Sequence, residues 1–209
     1  MTNHFMQKTS GFSLIEAVVS ITLLIVAVTG PLALSARSLR ASQEVKYEIE
    51  AVHLAEEGLE IVRNIRDNNS TQNTDVALNP QDWWSAPVMD LSECDVAYGC
   101  FLDLTIHTPG NVWSATTLKK CTTFDCGGKI RVYKNKATGL YRQASGGLGG
   151  AAWELSPYTR RVTVGVVDNE KYLRATSTVS YVGIGGATRT VSLTMDLYNW
   201  FPCTLTSCL

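Results

Sequence analysis

The chain has 209 residues, of which 18% are charged, and its formal net charge is −1. A chain this close to neutral lacks the overall basic field that draws proteins to nucleic acid or anionic lipid, so composition predicts no nucleic-acid partner, although it leaves a local basic patch open. Six cysteines form three close pairs beyond an apolar N-terminal segment. An even number in that context favours export to an oxidising compartment.

The first residues form a polar leader, 1–11, in which Lys8 is the only side chain with a formal positive charge. A nearly uncharged, mostly apolar run follows from Phe12 to Ala36. As an α-helix this run would be about 37 Å long, enough to cross a hydrocarbon core of about 30 Å. Residues 12–36 are therefore predicted to be the transmembrane half of a long N-terminal helix, with the leader in the cytoplasm.

One acidic residue, Glu16, lies inside this apolar run. A carboxylate in bilayer hydrocarbon costs about 2.5–3.5 kcal/mol on insertion scales, which marks it as a candidate functional residue. Two interpretations stay open: Glu16 pairs with a cation, or its side chain reaches the water interface.

The motif Gly11-Phe12-Ser13-Leu14-Ile15-Glu16 resembles the cleavage and methylation signature of type IV prepilins and type II secretion pseudopilins. The resemblance implies that a membrane-embedded prepilin peptidase cuts after Gly11 and methylates the new amino group of Phe12. It also implies that Glu16 neutralises that amino group on a neighbouring subunit during filament assembly.

A rival hypothesis is an ordinary secretory signal, because Ala33-Leu34-Ser35 resembles a small-x-small cleavage site. The single leader lysine, the internal glutamate and the long apolar run count against it. Just before this site, Gly30-Pro31 predicts a kink or local loosening of the helix, since proline removes an intrahelical hydrogen bond.

Residues 37–67 are predicted to be the amphipathic half of the same helix. Apolar residues recur there at spacings of three and four; they are Val45, Ile49, Val52, Ala55, Leu59, Val62 and Ile65. Most acidic residues between them fit a solvated face, and Gly58 could let a neighbouring backbone approach. The segment 54–67 resembles the helix end of V-type minor pilins and of I-type secretion pseudopilins. Short polar residues over 67–75 predict the end of the helix.

Residues 68–209 are predicted to form one antiparallel β domain. Over 76–95 the sequence predicts a loop in which Trp83-Trp84 is buried against the helix and sheet, with sugar binding by an exposed pair as the alternative. Strands are then predicted at Phe101–His107, Lys129–Lys134, Arg161–Val167, Tyr172–Val182 and Arg189–Trp200. The last three form a meander with turns at 168–170 and 183–186. The segments 139–141, 158–164 and 189–200 also resemble V-type minor pilins.

The cysteine spacings differ from those of zinc ribbons, so disulfides are the better interpretation. Fifteen pairings are open to six cysteines, and local loops are the economical choice. The expected pairs are Cys94–Cys100, Cys121–Cys126 and Cys203–Cys208.

No enzyme signature or cofactor motif is found. The three histidines, His4, His53 and His107, stand in separate segments without a nucleophile or metal ligands at a suitable spacing. The glycine-rich stretch 146–150 lacks the lysine and the strand that a phosphate loop requires, so we expect a loop there.

The sequence thus predicts an α+β fold, with a long N-terminal helix packed on an antiparallel sheet as in type IV pilins. By resemblance its partners are prepilin peptidase, other pilins or pseudopilins and an inner-membrane assembly platform. The expected location is the inner membrane, single-pass with the globular domain exported, and then a pilus or a periplasmic pseudopilus. The first expected function is a minor pilin-like filament subunit. The alternatives are a minor pseudopilin of a type II secretion system and, from another class, an exported surface-binding module.

Overall fold

The structure is a computed structural model that describes residues 11–72, 90–103, 118–124, 126–143, 148, 150–167 and 172–198. One long helix and seven strands form its framework, together with 3₁₀ turns at Leu91–Glu93 and Cys126–Gly128. The helix is α1 (Leu14–Gln72), and the strands are β1 (Cys100–Leu102), β2 (Leu118–Lys120), β3 (Arg131–Asn135), β4 (Tyr141–Arg142), β5 (Trp153–Val167), β6 (Tyr172–Val182) and β7 (Thr188–Tyr198).

The chain divides into two compact units, residues 1–45 and 46–209. Within the first unit, the helix from Leu14 onward exposes its apolar side chains on all sides. This helix is long and apolar enough to cross a membrane, which confirms that the segment predicted to span can do so.

In the second unit α1 packs on the sheet with one side only. Its buried residues recur at helical spacing, as an amphipathic helix requires; they are Ala51, Leu54, Ala55, Gly58, Leu59, Ile61, Val62, Ile65, Arg66, Asn69 and Ser70. The prediction was correct for Ala55, Leu59, Val62 and Ile65, which are all buried. It was wrong for Val45 and Ile49, which are exposed, and it missed Ala51, Leu54 and Ile61. The partly buried ring of Tyr47 packs against Tyr158 and Tyr181 where the helix first meets the sheet, and Ala51 follows it one turn later.

The predicted end of the helix near residue 67 was also wrong, because α1 continues to Gln72. Asn68 Nδ2 donates a hydrogen bond to Asn64 Oδ1 at 2.7 Å, one helical turn back. Asn69 and Ser70 are buried. Side chains that favour turns in isolation are therefore held in helical backbone by tertiary packing, which routinely overrides weak local propensity.

Every strand pair in the sheet is antiparallel, and the long strand β5 lies at its centre. On one side β5 pairs with β3 through its first half and with β1 at Val162. On the other side it pairs with β6, which pairs with β7. The strands β2 and β4 extend β1 and β3. These pairings confirm the predicted α+β class and the meander of β5, β6 and β7.

The predicted strand bounds hold best in the meander. β6 has the predicted bounds, and the 183–186 turn is present, with Gly186 N–H donating to the Gly183 carbonyl at 2.9 Å. β5, however, begins eight residues before Arg161. The sequence did not predict this extension because proline is unusual inside a central strand. Pro157 is tolerated there because the register between β3 and β5 shifts at that point. Ser156 Oγ donates instead to the Val132 carbonyl at 2.6 Å.

The core lies between the helix and the inward faces of β5 and β6. Alternate residues of β5, from Tyr158 to Val164, and of β6, from Leu173 to Tyr181, point inward and are buried. This is the two-residue period expected of strands with one covered face. Several expectations lie outside the described residues: the Trp83-Trp84 pair, His107, most of the 146–150 loop, the 168–170 turn and the Cys203–Cys208 pair.

The closest approach between helix and sheet is at Gly58. A Cβ added there would lie 3.2 Å from Ser177 Cβ and 3.3 Å from Val162 Cγ2, tighter than ordinary van der Waals contact, and it would clash with the Ser177 hydroxyl. Gly58 thus admits side chains of β5 and β6, rather than the neighbouring backbone that the sequence suggested. The Ser177 hydroxyl is buried, and it neither donates nor accepts a hydrogen bond among the described residues.

We expect Gly58→Ala to lower the melting temperature of the purified chain. Overpacking costs about 1–3 kcal/mol, and the gain of about 1 kcal/mol in helix propensity offsets only part of it. Ser177→Ala should be nearly neutral alone and should relieve the defect when combined with Gly58→Ala. Circular dichroism melts of the four proteins in detergent measure this coupling, and Gly30→Ala is the control because no atom lies within 4 Å of its added Cβ. Additive effects of Gly58→Ala and Ser177→Ala would contradict the packing argument.

Candidate functional site

The predicted cleavage motif lies at the start of α1. Gly11 and Phe12 precede the helix, and the Ser13 carbonyl accepts the backbone N–H groups of Glu16 and Ala17 at 3.1 and 3.2 Å. Glu16 is therefore in the first turn, where a negative charge interacts favourably with the helix dipole. The bond that the resemblance assigns to the peptidase thus lies just ahead of the helix, outside regular secondary structure.

Phe12, which the resemblance assigns to cleavage and N-methylation, and Glu16, which it assigns to assembly, both have exposed side chains. Phe12 is 75% exposed, Glu16 is also solvent-accessible, and Glu16 makes no ion pair within the described part of the chain. Exposed apolar side chains continue along the helix beyond Glu16. A surface this apolar is unusual for a soluble monomer and is typical of contact with lipid or with other proteins.

The α-helix continues through Gly30 and Pro31. Ser35 Oγ donates a hydrogen bond to the Pro31 carbonyl at 2.9 Å, and Thr29 Oγ1 donates to the Val26 carbonyl at 3.4 Å. Both are ordinary bonds from a hydroxyl to backbone one turn back, and neither acceptor is the Ala27 carbonyl that lacks its usual donor because Pro31 has no N–H. The kink at Gly30-Pro31 stays a prediction.

The second unit contains a buried cation that sequence reasoning missed. Arg160, on β5, has no solvent exposure. Its Nη1 donates to the Leu54 carbonyl at 3.0 Å and to Glu57 Oε2, and its Nε donates to Gln143 Oε1 at 2.8 Å. Gln143 Nε2 in turn donates to the carbonyls of Ile130 and Arg160 at 2.8 and 2.9 Å. One guanidinium therefore joins α1 to the central strand and to the end of β4.

A second polar cluster surrounds Glu50, one helical turn beyond the start of this unit. The hydroxyls of Tyr141 and Tyr158 donate to Glu50 Oε2 at 2.7 and 2.8 Å. Burial by itself raises the pKa of Glu50, but the two phenol hydrogen bonds and the nearby Lys134 and Lys46 outweigh it and lower that pKa. Burial, followed by the hydrogen bonds to Glu50, raises the pKa of both tyrosines, so they remain donors.

These two clusters correct the prediction that most acidic residues of the helix are merely solvated. Glu50 and Glu57 turn toward buried partners, whereas Glu48, Glu56 and Glu60 are exposed. One signal was present in the sequence: Arg160 alternates with Tyr158, Val162 and Val164, which places it on the buried face of β5. A charge in such a position requires a partner on the covering element.

The structure contains two of the three expected disulfides, Cys94–Cys100 and Cys121–Cys126. All four cysteines are buried. Each bond closes a loop of a few residues, and the two loops are joined where the Cys121 N–H donates to the Gly99 carbonyl at 2.9 Å. Gly99 has φ +70°, and a Cβ there would collide with the Val162 carbonyl, so only glycine fits this crossing over β5.

Within the described ranges, no group of three or more histidine, cysteine, aspartate or glutamate side chains is placed to hold a metal ion. His53 is exposed and lies 3.2 Å from Glu56 Oε2 on the solvent side of α1.

Comparison of the chain with protein-family models, with curated proteins and with solved structures gives no match in any of the three. The architecture itself, a long apolar N-terminal helix packed on an antiparallel sheet, is compatible with a pilin-like fold.

The Glu50 cluster predicts an acid-dependent loss of stability. Because the folded pKa of Glu50 is lowered, its contribution is present at neutral pH and is lost as the pH falls below the ordinary value of 4.5. We expect Glu50→Gln to lower the free energy of unfolding by about 1–3 kcal/mol at pH 7. The melting temperature of this variant should fall less between pH 7 and pH 4 than that of the wild type. The control is Glu48→Gln, since Glu48 is exposed on the same turn of the helix. If the melting temperature of Glu50→Gln fell between pH 7 and pH 4 as much as that of the wild type, the cluster would be ruled out as the acid-sensitive element.

Proposed function

We propose that this chain is a minor pilin-like structural subunit. It is cleaved after Gly11 and N-methylated on Phe12 by a prepilin peptidase, and it then enters or primes a type IV pilus-like filament. Its partners are other pilins, which it contacts through the N-terminal helix, and an inner-membrane assembly platform. The protein is first anchored in the inner membrane with its globular unit exported.

The observation that carries this proposal is the combination of a cleavage motif with an exposed apolar helix. Gly11-Phe12 precedes the first helical turn, and Glu16 is an exposed acid at the head of an apolar surface. A lone carboxylate in apolar surroundings requires a cation. The amine created by cleavage four residues earlier, on a second subunit, supplies a cation of the right charge.

The two buried disulfides support the exported location of the globular unit, because such bonds persist in oxidising compartments. They do not distinguish a pilus from a periplasmic pseudopilus. A minor pseudopilin of a type II secretion system is therefore the second candidate, favoured by the resemblance of residues 54–67 to both classes.

Mass spectrometry of the protein purified from membranes tests the processing step. We expect a mature chain that begins with N-methylphenylalanine at residue 12, because the motif resembles a substrate of prepilin peptidase. Replacing Gly11 with Ala should leave an unprocessed chain that retains residues 1–11. A mature N-terminus near Ala36 would instead identify a secretory signal and a released surface-binding module.

Glu16→Ala tests the assembly step. If Glu16 pairs with a neighbour's Phe12 amine in apolar surroundings, the substitution leaves that amine unpaired, a loss of about 3–5 kcal/mol for a buried pair. The variant should be cleaved normally but should be absent from filaments sheared from cells, and it should accumulate in membranes.

The matched control is Glu48→Ala, which removes an exposed acid of the same helix outside the apolar segment. It should enter filaments like the wild type. Equal incorporation of Glu16→Ala and wild type would defeat the pairing mechanism. If both the wild type and Glu16→Ala were processed normally but were absent from sheared material, the periplasmic pseudopilus would be favoured.

A further inference from the structure

The outward face of the sheet, away from the helix, gathers cations that are far apart in the sequence. Pairing in register places residues on the same face. Lys119 lies opposite Phe101 on β1, and Arg131 lies opposite Thr159, two residues before Arg161 on β5. The even-numbered residues of β5 from 158 to 164 point inward, so Thr159 and Arg161 point outward. Arg131 shares the face of its partner Thr159, and strand geometry places the Cα atoms of Arg131 and Arg161 roughly 8 Å apart.

The loop closed by Cys121–Cys126 adds an aromatic ring to this face, and the turn that follows the loop adds a further cation. The Phe124 ring stacks on the Arg161 guanidinium at 4.0 Å from centroid to Cζ, and Phe124 is 67% exposed. Lys129 Nζ lies 5.7 Å from the ring of buried Phe101, directly below the same loop. We name the set Lys119, Lys129, Arg131, Arg161 and Phe124 the basic outer patch.

The four cations of this patch make no ion pair in the part of the chain that the structure describes. By contrast, Arg66, Arg160 and Arg174 each pair with a carboxylate, whereas Arg142, like Arg161, lies against an aromatic ring. The sequence places one acid in the same loop, Asp125, which lies outside the described residues. Even when this charge is counted, the patch is cationic on a chain whose net charge is −1.

We propose that the basic outer patch binds single-stranded nucleic acid. Cations whose charge is not paired with a carboxylate complement a phosphate backbone. An aromatic ring with one face on an arginine and the other face open to solvent offers a platform on which a base can stack. An exposed ring among cations on a sheet face is the combination with which proteins bind single strands through base stacking and phosphate contacts.

Fluorescence anisotropy of a labelled 12-nucleotide oligo(dT) with the full chain in detergent micelles tests this proposal. Four phosphate contacts predict that log K falls against log [salt] with a slope of about −3. Arg161→Gln and Lys129→Gln should each reduce the steepness of the slope by about 0.7. Phe124→Ala should weaken binding roughly 5- to 150-fold with little change of slope, because stacking is not electrostatic.

Two control variants match these substitutions away from the patch. Lys136→Gln removes an exposed cation, and Leu140→Ala truncates an exposed apolar side chain, both in the turn between β3 and β4. Neither should alter binding or the salt slope. Melting curves and the masses of the oxidised chains establish that every variant is folded with its disulfides formed.

Three results would overturn the proposal. Equal losses in Lys136→Gln and Arg161→Gln would show that only net charge matters. Unchanged affinity in Phe124→Ala would remove the stacking platform. Binding of heparin with no binding of oligo(dT) would identify the partner as an acidic polysaccharide.

Discussion

The globular unit depends on one desolvated charge. Arg160 is fully buried on the central strand, and its donors reach the Leu54 carbonyl and Glu57 on the helix and Gln143 beyond β4. Taking one partner from such a pair typically costs about 3–5 kcal/mol, because the remaining charge stays buried. A helix sliding along the sheet by a single turn would separate these groups. The hydrophobic contacts around them are non-directional and could tolerate small slips. The guanidinium therefore fixes the register of helix and sheet, while apolar burial supplies most of the stabilisation.

Sequence reasoning predicted those elements whose periodicity is long and regular. The meander of β6 and β7 and its glycine turn follow directly from alternating apolar residues and turn chemistry. β2 and β4 are only three and two residues long, too short for any period to show, and they exist because neighbouring strands pair with them. The start of β5 was missed because Pro157 argues against a central strand, and only a shift in the β3 register accommodates it.

The candidate sites divide in the same way. Gly11, Phe12 and Glu16 form a local motif, so sequence alone defined it, and the helix start now gives it a backbone setting. The Arg160 and Glu50 clusters join residues about 100 positions apart in the chain. Their partners could not be named without the fold. The basic outer patch was equally hidden, since its cations belong to β2, β3, β5 and the turn that follows the Cys121–Cys126 loop.

The outward face of the sheet differs in chemistry from one strand to the next, and this difference explains where the Cys121–Cys126 loop lies. On β6 and β7 the outward face is a ladder of hydroxyl pairs, such as Thr178 with Ser192 at 3.2 Å and Ser180 with Thr190 at 3.0 Å. Such a surface keeps strand propensity high without presenting apolar area. On β1 the outward residue is Phe101, which must be covered, and the Cys121–Cys126 loop covers it. The Cys121–Cys126 disulfide holds this short loop over the Phe101 ring. The same loop carries Phe124 outward onto Arg161, so the element that hides one aromatic ring from water presents another.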